Sequence, residues 1–168
     1  MKHLLIILSL FLLTSPLIGK ICFGRDMNKI KIRQYADSDQ EKVIKLWELC
    51  ELTRQWNNPI KDIQRKLIVQ SELFLVLEKD DEILGSIMGG FDGHRGSVYY
   101  LGIHPKHKNK GLGKLLMNRI EEELIKMGCP KINLMVRNSN IDVQEFYRVI
   151  GYEEQEVVVF GKRLIPDN

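Results

Sequence analysis

A mixed α/β (α+β) fold, with a mixed central sheet and flanking helices, is what this sequence predicts, on three observations. Short β-rich apolar runs alternate with stretches whose apolar residues recur at helical spacing. The 168 residues are 44% hydrophobic and 28% charged, which suits one globular domain with a substantial core. A glycine-containing loop, Lys108–Lys114, joins a β-like run to a long amphipathic helix.

The elements follow in order. Lys29 to Gln34 alternates, with Ile30 and Ile32 on one face, and makes a first strand. Ser38-Asp-Gln-Glu41 has the capping-box pattern and opens a helix on which Val43, Leu46, Trp47 and Cys50 share a face, so Trp47 belongs to the core. Asn58-Pro59 gives an N-cap and first-turn proline to a second helix, Ile60 to about Ser71. Leu73–Leu77 and Ile83–Gly90 form a hairpin about Lys79–Glu82. The Asp92–Gly96 turn leads to a fourth strand, Ser97–Ile103. The long helix carries Leu112, Leu115, Leu116, Ile120, Leu124 and Met127 on one face and stops at Gly128. Ile132–Val136 is a fifth strand, Val143–Ile150 a last helix, and Tyr152–Leu164 supplies two closing strands about Phe160-Gly161-Lys162. The resulting order is β-α-α-β-β-β-α-β-α-β-β.

Charge and cysteine content exclude several classes. The formal charge is +3, and Lys2, Lys20 and Arg25 against Asp26 place most of it in residues 1–26. The remaining body is close to neutral with one basic loop, which argues against a nucleic-acid-binding face; Glu121–Glu123 soon interrupts that loop's charge. Cys22, Cys50 and Cys129 form no CxxC pair, and His94, His104 and His107 lack partners at ligand spacing, so no metal is expected.

Residues 1–26 read differently from the rest. Lys2-His3 precedes an apolar stretch, Leu4–Leu13, broken by Pro16; this has the shape of a secretory signal and is short for a membrane span. Two readings stand: an upstream extension ahead of a functional start at Met27, with a cytoplasmic enzyme at 27–168, or a targeting segment that exports or tethers the protein. Membrane attachment is expected only if residues 1–26 are retained.

The loop itself is built for an anion. Four lysines and two histidines lie between His104 and Lys114, and a helix N-terminus adds free N–H groups and partial positive charge. A Walker loop fails, because Leu115 follows Gly113-Lys114 where a hydroxyl is needed and Lys108 stands at the first glycine's place. A dinucleotide fingerprint fails at Leu116. What remains, Lys108-Asn109-Lys110-Gly111-Leu112-Gly113, resembles the pyrophosphate loop of the GCN5-related N-acetyltransferases (the GNAT family), with Lys108 where Gln or Arg is usual. Asn140, Tyr147 and Gly151-Tyr152 resemble the family's second signature, with Val143 where a small residue is common.

The resemblance, from Met27 to about Ile165, implies the acyl-CoA N-acyltransferase (GNAT) fold, its sheet splayed between strands four and five. It implies an N-acetyltransferase with acetyl-CoA as co-substrate and an amine acceptor, small-molecule or peptide/protein. The cofactor would lie on Leu101, Gly102 and Ile103 and on Lys108, Asn109, Lys110, Gly111, Leu112, Gly113 and Lys114, with Asn140 positioning the loop or cofactor, or capping the last helix. The lysines serve as charge partners or as a solvated helix start. A non-catalytic acyl-CoA sensor of the same fold is the rival reading, and it has no use for Tyr147.

Acetyl transfer requires a held thioester, a stabilised oxyanion and a protonated leaving thiolate. The Ile103 N–H is the candidate oxyanion donor. Tyr147 is the candidate general acid, since a phenol with a pKa near 10 is protonated at neutral pH; its alternative is a core aromatic. Ser97–Ile103 contains no acid, so the base is open among His94, Asp92 and solvent. Trp56 and Asn57 line the acceptor pocket or simply pack a loop.

Overall fold

The computed structural model describes residues 29–167. The apolar N-terminal stretch and Cys22 lie outside the described residues. Strands β1 (Lys31–Gln34), β2 (Phe74–Lys79), β3 (Glu82–Phe91), β4 (Gly96–Ile103) and β5 (Ile132–Asn133) form one sheet in the order β1-β2-β3-β4-β5. The first four pair antiparallel and β5 joins β4 in parallel. The helices are α1 (Gln40–Leu49), α2 (Pro59–Ile68), α3 (Leu112–Lys126) and α4 (Ile141–Val149). Among the described residues no helix is long and apolar enough to cross a membrane.

The capping signals divide. Asn58 Oδ1 accepts from the N–H groups of Ile60 (3.0 Å) and Lys61 (3.2 Å), with Pro59 in the first turn. The Ser38/Glu41 box does not form. A 3₁₀ turn, Asp37–Asp39, precedes α1, and the Asp39 carboxylate turns back to the Ala36 N–H (2.9 Å) and to Arg33 (2.6 Å). Ser38 lies inside that turn and not at an N-cap position, while Arg33, also bonded to Glu78, holds the Asp39 carboxylate away from α1.

One core lies between the sheet and α1–α2, built on Val43, Leu46, Trp47, Ile63, Phe74, Val76 and Met88. Trp47 is fully buried, and its indole N–H donates to Ser86 Oγ at 2.8 Å, which satisfies the one polar group it takes inside. On α3, Leu112, Leu116, Met117, Ile120 and Leu124 are buried, whereas Leu115 is half-buried and Met127 exposed. Gly89 lets the helix lie close, since a Cβ there would stand 2.7 Å from Ile120 Cγ1.

Two expectations for the C-terminal third are corrected. β5 is two residues long, and Tyr152–Leu164 contains no strand. Val157–Phe160 has β propensity but is 62–93% exposed. A strand needs a neighbouring edge to pair with, and β5 offers only two residues of one. The β4–β5 ladder likewise ends at Ser97↔Asn133, so Val98–Ile103 leaves the β5 side of β4 without a ladder partner among the described residues.

Candidate active site

The site begins with an irregularity in β4. The β3–β4 register runs Gly85↔Ile103, Ser86↔Gly102 and then Met88↔Tyr99, so Ile87 faces both Tyr100 and Leu101 in a β-bulge. Tyr100 carries the extra turn of backbone with φ +52°. The His104 N–H donates to Leu84 O at 2.8 Å. Hydrogen-bonded and non-bonded pairs alternate in an antiparallel ladder, so Ile103 turns its N–H and C=O away from β3, toward the open side. The Cys50 thiol donates to that Ile103 carbonyl at 3.2 Å. Gly102 belongs to the bonded pair with Ser86, so its backbone groups face β3 and its contribution is steric: a Cβ would lie 2.9 Å from Leu52 Cδ1.

From Ile103 the chain passes through a 3₁₀ turn, Pro105–His107, into the loop. Asn109 and Gly111 both take left-handed backbone, φ +60° and +76°. The first bond of the helix is Leu115 N–H to Gly111 O at 3.1 Å. Among the described residues the N–H groups of Asn109, Lys110, Gly111, Leu112, Gly113 and Lys114 have no partner. Six successive free donors at a helix start, with Lys108, Lys110 and Lys114 around them, fit a pyrophosphate. The two glycines serve separate needs. Gly111 supplies the left-handed turn, and Gly113 supplies room, since a Cβ would stand 3.2 Å from Phe146 Cζ.

That contact brings α4 and Tyr147 to the loop. Tyr147 is 9% exposed, its ring edge-on to Phe146 (5.1 Å) and Tyr152 (5.5 Å). Burial pushes its phenol up to about 12. Tyr152 is fixed from behind by a hydrogen bond from its hydroxyl to Glu121 Oε1 at 2.8 Å. Asn140 is exposed and its side chain makes no capping bond; Gln144 Nε2 instead donates to the carbonyls of Arg137 and Asn138.

The remaining candidates separate. Asp92 accepts from the N–H groups of His94 (2.8 Å) and Arg95 (2.7 Å) in the β3–β4 turn. Between Gly96 and Leu101 run about 16 Å of strand, so His94 and Asp92 stand at the far end of β4 from Leu101–Ile103. Trp56 is 53% exposed in the turn before α2. Asn57 does approach: its amide faces the Tyr100 phenol and accepts from Arg163 at 3.3 Å. Sequence reasoning missed Tyr100 and Asp62. The Tyr100 hydroxyl donates to Asp62 Oδ2 at 2.5 Å, across 38 positions of sequence, and its ring stacks on Trp47 at 4.0 Å. Only the bulge, which sequence does not announce, aims Tyr100 there.

A mixed sheet whose fourth strand runs into a donor-lined, lysine-flanked loop is a geometry suited to holding the phosphates of an acyl carrier. Residues 27–152 match the acetyltransferase (GNAT) family model, and the chain belongs to that family. It is 51% identical over 138 residues to the acetyltransferase YE1169 of Yersinia enterocolitica, covering 82% of this chain and 98% of that one. The acetyltransferase SG1711 of Sodalis glossinidius is 52% identical over 139 residues, at the same coverage. Among solved structures, the fold matches AAC(6')-Iy in complex with a CoA bisubstrate analogue (TM-score 0.68, 16% identity, 81% of this chain and 99% of that one). It also matches the ribosomal-protein-S18-alanine N-acetyltransferase of Escherichia coli (TM-score 0.63, 17% identity, 75% and 79%). The protein is an acetyltransferase.

Proposed function

We propose that the enzyme transfers the acetyl group of acetyl-CoA directly to an amine within a ternary complex, with a peptide or protein amine as the acceptor class. The observation that carries the reading is the run of six unpartnered N–H groups from Asn109 to Lys114, on the same strand-to-helix connection as an outward-facing Ile103 N–H. The loop holds the pyrophosphate, with Lys108 and Lys110 neutralising its charge. The β4 edge orients the thioester arm, and Ile103 donates to the carbonyl oxygen as charge develops there. One such donor is worth about 2.7–4 kcal/mol. Tyr147 gives its proton to the departing sulfur; a phenol held up to about 12 by burial is fully protonated at neutral pH and available as an acid. A sensor would have no need of that group. Dependence on acetyl-CoA supports a cytoplasmic location.

Calorimetric titration of acetyl-CoA, and separately of dephospho-acetyl-CoA, into the full chain tests the reading. Binding weakened by loss of the 3′-phosphate supports it. No binding by folded protein refutes it.

A further inference from the structure

The fold brings a carboxylate to a strand whose own sequence has none. Asp62, on α2, accepts from the Tyr100 hydroxyl at 2.5 Å. Tyr100 sits at the β4 bulge, immediately before Leu101, and its left-handed backbone (φ +52°) is a conformation that a bulky residue adopts only under constraint. The constraint is visible. The ring stacks on Trp47 at 4.0 Å, and its carbonyl accepts from Ser86 Oγ at 3.2 Å. The other Asp62 oxygen takes Arg65 Nη1 at 2.9 Å, and Arg65 is held in turn by Asp167. Asn57, bonded to Arg163, closes the remaining side. The carboxylate is therefore fixed by charged groups behind it and presents one oxygen to one phenol.

We propose that Tyr100 and Asp62 form the proton-accepting pair for the acceptor amine, Tyr100 touching the nitrogen and Asp62 acting through it as a positioning residue and proton sink. The inference rests on the transfer reading above. As the acceptor nitrogen bonds to the acetyl carbon, its proton passes to Tyr100 Oη while the phenol's own proton passes to Asp62 Oδ2. The C–S bond breaks, and the departing sulfur takes the Tyr147 proton. Asp62 then loses its proton to solvent and Tyr147 regains one, so both return to their starting states. Two tyrosines thus divide the proton transfers, a buried donor on α4 for the sulfur and a carboxylate-backed acceptor on β4 for the amine. The Arg65–Asp62 pair keeps the carboxylate aligned between turnovers.

The test measures thiol release from acetyl-CoA by the full chain, with glycinamide, alanyl-glycyl-glycine and kanamycin as amine probes, alongside calorimetric binding of acetyl-CoA. The wild-type protein is expected to use at least one probe. Asp62→Asn keeps the side chain's shape and should lower kcat roughly 100-fold, with acetyl-CoA affinity and amine KM unchanged. Tyr100→Phe keeps the stack on Trp47 and should lose a similar factor. Ultraviolet titration supplies a readout that packing alone would not move: in Asp62→Asn the Tyr100 phenol should ionise at lower pH, its charged partner gone. Unchanged kcat in Asp62→Asn overturns the proposal. So does transfer to none of the probes by a protein that binds acetyl-CoA. A wild-type chain that fails to bind acetyl-CoA overturns the underlying reading of the loop instead.

Discussion

Replacing Gly111 with alanine separates backbone strain from contact at the loop. Gly111 has φ +76° and ψ 1° at the start of α3, and nothing lies within 4 Å of where its Cβ would stand. The penalty is therefore conformational alone, about 1–2 kcal/mol for an L-residue in the left-handed region. It has two places to appear. If the loop keeps its shape in Gly111→Ala, the unfolding free energy drops by that amount. If the loop relaxes, the folded protein keeps its stability, and acetyl-CoA must drive the turn back. The same energy then weakens acetyl-CoA affinity by roughly 5–30-fold. Urea unfolding and calorimetry on one preparation therefore yield two losses that sum to about 1–2 kcal/mol. Asparagine, which tolerates this region better and already occupies it at Asn109, should lose less in Gly111→Asn. If both measurements match wild type in Gly111→Ala, or if asparagine costs as much as alanine, the account of Gly111 is wrong.

Three further outcomes are expected. Tyr147→Phe should lower kcat roughly 100-fold while acetyl-CoA affinity holds, as measured by thiol release and calorimetry; unchanged turnover removes Tyr147 from the chemistry. Burial raises the phenols of Tyr35 and Tyr147 from 10.0 to about 12. The unfolded chain therefore releases these protons first, and the contribution of the two phenols to stability against urea should be level as pH rises toward 10 and fall between pH 10 and about 12. The fall should shrink in Tyr147→Phe. Gly89→Ala would drive a methyl to 2.7 Å from Ile120 Cγ1 and should cost about 1–3 kcal/mol. Combined with Ile120→Ala the two costs should not add, and an additive double-mutant cycle would refute close packing there.

Local chemistry was readable along the chain. The Asn58-Pro59 start of α2, the β2–β3 hairpin, the Gly128 stop of α3 and the Trp47 core position each follow from residues within a turn or two of one another. The Ser38 box failed because Ser38 falls inside a 3₁₀ turn, whose Asp39 is drawn back to Ala36 and across to Arg33 on another element. The closing strands failed because β propensity at Val157–Phe160 has no edge to pair with.

By itself, then, the sequence determined the element order through α4, the donor-rich loop and the core position of Trp47, because capping, periodicity and left-handed glycine act over short distances. Tertiary structure alone decided which N–H groups stay free along β4, and it alone set Asp62 against Tyr100. Both depend on a one-residue bulge in strand register and on where α2 packs. Such choices are fixed by the summed fit of the core, and no short stretch of residues encodes them.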